Sequence, residues 1–95
     1  MPQAKWNGQV IADSDVFETV EGNIYFPPNS INREFFGESS KTTFCPWKGT
    51  ANYFDVIVDG NVNEAAAWYY ADPKPEAANI TGHIAFWKGV EVTGG

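Results

Sequence analysis

Ala51-Asn52-Tyr53-Phe54-Asp55-Val56-Ile57-Val58-Asp59-Gly60-Asn61 is the stretch whose reading decides the fold. Phe54, Val56 and Val58 recur at every second position, and Tyr53, Asp55 and Ile57 fill the places between, which is the period of a strand with two distinct faces. Asp59-Gly60-Asn61 is turn chemistry, because these residue types tolerate the positive φ of a tight hairpin. The chain therefore returns through Val62 into a second strand over residues 66–71, with Ala66, Trp68 and Tyr70 on one face.

Just before this strand lies Ser39-Ser40-Lys41-Thr42-Thr43-Phe44-Cys45-Pro46-Trp47-Lys48-Gly49-Thr50, with the only cysteine, one of the four tryptophans and two of the six basic residues. Residues 39–53 read as a stiffened connection between strands, since Pro46 fixes φ and withholds an N–H while Gly49 admits backbone turns closed to other residues. A connection of this kind can aim side chains from a rigid scaffold.

Further out, Asn7-Gly8 marks a hairpin between a strand ending near Trp6 and another over residues 10–12, which stops at Asp13-Ser14-Asp15. Residues 16–20 and 24–26 form a second hairpin, in which Gly22 supplies the positive φ of a type II′ turn. Pro27-Pro28 ends the pairing, and Ser30 is placed to cap a helical turn over residues 31–35 with Gly37 as its terminator. After Asp72-Pro73-Lys74-Pro75, a one-turn helix covers residues 76–78. Ile84 and Phe86 then face away from His83, Ala85 and Trp87, and a last strand spans residues 90–92. The expectation is one mostly β domain over residues 1–95. Eight or nine short antiparallel strands and hairpins make either a tent-like fold or two packed curved sheets, with one or two short helical turns.

Composition bounds the function. Twelve acidic against six basic residues give a net charge of −6, which disfavours contact with a nucleic-acid backbone. A single cysteine excludes an intramolecular disulfide, no stretch is long and apolar enough for a membrane helix, and no basic, apolar leader is visible. A cytoplasmic monomer or homodimer without cofactor is expected. Aromatic residues make up 16% of the chain, enough to build a core and also line a cavity.

The run Thr43-x-Cys45-Pro46-Trp47-Lys48-Gly49-x-Ala51-x-Tyr53, with Tyr25-Phe26-Pro27 before it and Ala67-Trp68-Tyr69-Tyr70 and Ile84-Ala85-Phe86 after it, resembles a small bacterial family filed as a domain of unknown function. The resemblance extends from Trp6-Asn7-Gly8 to Phe86. It implies a compact β fold of the tent-like kind, and the family carries a nucleotidyltransferase-like label. Nucleotidyl transfer needs carboxylates in close array to hold magnesium, usually near a Gly-Ser loop. Gly-Ser is absent; Asp13 and Asp15 flank a turn; Asp55 and Asp59 sit about 13 Å apart along a strand at ~3.3 Å per residue. No zinc set is available either, with one Cys and one His in the chain.

The aromatics offer the stronger site. Trp47, Tyr53, Trp68 and Tyr70 are expected to wall an apolar pocket, with Thr43, Cys45 and Lys48 at its mouth, suited to a flat heterocycle or a cationic head group. Lys48 is expected to pair with an anionic group, and Thr43 and Tyr53 to donate or accept hydrogen bonds. One alternative is an enzyme using Cys45 as nucleophile with Lys48 lowering its pKa or His83 as base. Another is a protein-interaction module. Each aromatic alone has an ordinary use as core.

Overall fold

A computed structural model of the chain describes residues 2–94. Among the described residues, nine strands fall into three antiparallel sheets. The Asn7-Gly8 pair, at φ 52° and 78°, makes a type I′ turn between β1 (Gln3–Trp6) and β2 (Gln9–Asp13). The final strand β9 (Glu91–Thr93) closes the other edge of β1.

β3 (Glu18–Val20) and β4 (Asn23–Tyr25) form a two-stranded sheet. Its turn corrects the sequence reading: Glu21 as well as Gly22 has positive φ, 54° and 78°, so the turn is type I′ rather than II′. A glutamate in this conformation carries strain of its own, and no sequence rule announces it.

The third sheet holds β5 (Phe36–Cys45), β6 (Gly49–Val58), β7 (Asn61–Tyr69) and β8 (Ile84–Phe86) in that order. Here the expected stiff connection is itself mostly strand. Thr42 to Cys45 pair with Asn52 to Gly49, and only Pro46, Trp47 and Lys48 turn. β5 is an edge strand facing water, so its Ser-Ser-Lys-Thr-Thr run lacks the apolar alternation that marks β6.

A second correction concerns residues 30–37. Ser30 caps no helix; its hydroxyl donates to the Pro27 carbonyl at 2.7 Å. Ile31 bridges to Ala12 and is buried, and Gly37 lies within β5. Burying the branched Ile31 side chain in extended backbone outweighs a helical turn there. Three 3-10 turns remain, at Pro28–Ser30, Arg33–Phe35 and Pro75–Ile80, and the described residues contain no α-helix.

β6 buries apolar side chains on both faces. Phe54, Val56 and Val58 join Ile11, Phe26 and Phe86 in one core, whereas Ala51 and Tyr53 join Tyr25, Tyr70 and Ile80 in the other. Consecutive Tyr25 and Phe26 thus serve opposite cores. Phe26 and Ile84, both in the first core, exchange backbone hydrogen bonds of 2.8 Å each way, so the small sheet is fastened to the large one there. Between Phe54 and Val56 the partner on β7 shifts from Ala67 to Asn63. The extra residues form a bulge with Ala65 at φ 53°, and Asp55 Oδ1 accepts the displaced Ala65 N–H at 2.8 Å.

Candidate functional site

Tyr53 and Trp68 are cross-strand partners on the face of β6 and β7 that carries the second core. Trp68 in turn lies opposite Ala85, which is fully buried. Trp87, just past β8, meets Trp68 edge to face, and its indole Nε1 donates to the carbonyl of Ala65 in the bulge at 2.6 Å. The result is a cavity of about 180 Å³ lined by Lys48, Tyr53, Trp68, Tyr70 and Trp87.

The walls are held in place. Trp68 and Trp87 meet edge to face, with centroids 6.1 Å apart and planes at 86°. Trp68 Nε1 donates to the Tyr25 hydroxyl at 3.1 Å, and the Tyr53 hydroxyl shares a 2.9 Å hydrogen bond with Thr43 Oγ1. Tyr53, Trp68 and Trp87 therefore each have a polar anchor.

Lys48 forms one side of the cavity and is only 6% exposed. Its ammonium is bonded to Glu21 at the tip of the β3–β4 hairpin and stands 5.3 Å from the centroid of Tyr70. Burial works against the charged form, but the Glu21 hydrogen bond together with the Tyr25 and Tyr70 hydroxyls outweighs it and holds the Lys48 pKa above the ordinary lysine range. Hydrogen bonds from Lys48 and then Trp47 hold the Glu21 carboxyl below its ordinary value. Burial pushes the Tyr70 phenol up, with Lys48 pulling the other way.

Of the residues singled out from sequence, Lys48, Tyr53, Trp68 and Tyr70 line the cavity, and Thr43 supports Tyr53. Trp47 does not line it. Its ring is 39% exposed and its Nε1 points to Glu21 Oε2 at 3.4 Å. Cys45 is half-buried against the same core, at the end of β5. His83 precedes β8, three strands away, or about 14 Å at ~4.8 Å per strand. Its Nδ1 lies 3.0 Å from the Thr81 carbonyl. The fold does not bring Cys45 and His83 together.

Trp87, which lines the cavity, and Glu21 and Tyr25, which bond to its walls, are residues the sequence reading did not select. Trp87 had a signal: it shares strand parity with Ala85, which would set it beside Trp68 once the two strands pair. Glu21 and Tyr25 had none, because their contacts with Lys48 and Trp68 run between separate sheets.

The carboxylates do not fit a magnesium site. Asp55 spends Oδ1 on the bulge, and among the described residues no three of His, Cys, Asp and Glu cluster. Likewise, no described helix is long and apolar enough to cross a membrane.

Among known families, residues 2–94 match one described as a domain of unknown function, DUF427, which carries a nucleotidyltransferase-type label. No curated protein matches the chain.

Proposed function

Since the chain belongs to this family of domains of unknown function, DUF427, whose description assigns no reaction, we propose a function from the site itself: binding of a small, flat heterocyclic or anionic ligand in the cavity between Trp68 and Trp87. Trp68, Trp87 and Tyr53 stack on or edge the ring, and the Thr43–Tyr53 hydroxyl pair offers a hydrogen bond. The cytoplasm is the compartment we assign, in keeping with one free cysteine.

One observation carries this reading. Trp87 is 43% exposed, yet it is held perpendicular to Trp68 by a hydrogen bond at its Nε1 rather than folded flat onto the protein. Leaving apolar ring surface wet forgoes about 25 cal/mol per Å². A ligand that covers the ring recovers that free energy without reorganising walls already in position.

The test is a thermal-shift screen of nucleosides, nucleotides and heterocyclic acids and amides against the parent protein and Trp87→Ala. A compound that raises the parent Tm and leaves the variant unmoved supports the site. Compounds that stabilise both proteins equally bind elsewhere and refute it.

A further inference from the structure

Resting on that reading, we propose that the ligand is a planar ring bearing an anionic substituent, a carboxylate or phosphate, and that Lys41 and Lys88 at the rim of the cavity read its charge. The argument starts from where the few cations of this acidic chain are placed. Of six basic residues in a protein of net charge −6, three put their ammonium beside a ring that lines the cavity. Lys41 Nζ lies 5.5 Å from the Tyr53 centroid, Lys48 Nζ 5.3 Å from that of Tyr70, and Lys88 Nζ 5.6 Å from that of Trp87.

The three are not equivalent. Lys48 is already neutralised by Glu21, the one carboxylate paired with any of them among the described residues. Lys88 donates to the Glu64 carbonyl at 2.9 Å, which fixes its position and leaves its charge uncompensated. Lys41 Nζ has no hydrogen-bond partner among the described residues. It stands in the irregular part of β5, where pairing with β6 lapses between Glu38 and Thr42, and shares strand parity with Thr43, which reaches Tyr53.

An aromatic corner by itself would also suit a cation. Here ammonium groups already stand within 5.6 Å of the centroids of three lining rings, so a cationic ligand would meet like charge and an anionic one would meet two uncompensated positive charges. Both lysines are exposed, so the effect is screened by salt and each contributes a factor of a few at most.

The experiment uses matched probes: nicotinate, nicotinamide and 3-(aminomethyl)pyridine, with indole-3-carboxylate and indole-3-carboxamide as a larger pair. Binding to the parent and to the Lys41→Gln/Lys88→Gln variant is measured at low (~20 mM) and high (~300 mM) salt. The expected result is that the acids bind the parent about five- to ten-fold tighter than the amides at low salt, that salt erodes the preference, and that the ratio falls towards one in the variant. Equal affinity of acid and amide in the parent, or preference for the amine, overturns the anion assignment and leaves the cavity reading standing. If no probe binds the parent, the cavity reading fails and this inference fails with it.

Discussion

The ammonium of Lys48, at the tip of the β5–β6 hairpin, donates a hydrogen bond to the carboxylate of Glu21, at the tip of the β3–β4 hairpin. The contact joins two sheets and sets one side of the cavity. Glu21→Gln leaves a buried ammonium without its counter-charge, so the Tm should fall. Removing both charges in Glu21→Gln/Lys48→Met should restore part of the loss, because the methionine leaves no uncompensated charge in the buried Lys48 position. A double variant that melts below Glu21→Gln would contradict this account.

The same pair fixes a pH dependence. The Glu21 carboxyl is held below its ordinary pKa, so its contribution is present above the unfolded value of about 4.3 and is lost as pH falls through the lower folded value. The Lys48 pKa is raised, so its contribution is present up to about pH 10.4 and is lost only as pH rises beyond it. The Tm difference between parent and Glu21→Gln should be full near pH 7 and should shrink below about pH 4. A difference that grows on acidification would reverse the assigned sign.

Gly49, at φ 108°, lets the chain re-enter β6 directly after the three-residue turn. A methyl group there would meet only ordinary contacts, the nearest being Lys74 N at 3.6 Å, so the penalty of Gly49→Ala is backbone strain rather than a clash. We expect a loss of about 1–2 kcal/mol, read as a lower urea midpoint at unchanged m-value.

Asp55→Ala should act at two places. It leaves the Ala65 N–H unpaired, at about 1–3 kcal/mol, and frees the bulge whose carbonyl holds Trp87. Stability in urea and ligand-induced Tm shift should therefore fall together. If stability falls while the ligand response persists, the bulge does not position Trp87.

The hairpins and the two-faced strand were legible because turn chemistry and period-2 alternation are local. Asn7-Gly8 and the alternation of Tyr53 to Val58 needed no tertiary context. β5 was hidden because its outer edge faces water and polar residues satisfy it equally as strand or loop. Four of the five cavity residues were found from their chemistry and parity. Trp47 was selected for its neighbours in sequence, and the three-residue turn instead sends its ring towards Glu21. Trp87 required knowing that β8 pairs with β7 and that the Ala65 bulge presents a carbonyl there. That is register between strands about twenty residues apart, which local pattern does not carry.

Four tryptophans give four indole N–H signals in a two-dimensional ¹H–¹⁵N NMR spectrum, one for each of Trp6, Trp47, Trp68 and Trp87. Assigning them by substitution and titrating a ligand from the screen tests the central claim most directly. The account predicts that the Trp68 and Trp87 signals shift together while Trp6 and Trp47 stay in place. Shifts confined to Trp6 or Trp47, or a bound ligand that moves neither Trp68 nor Trp87, would contradict it.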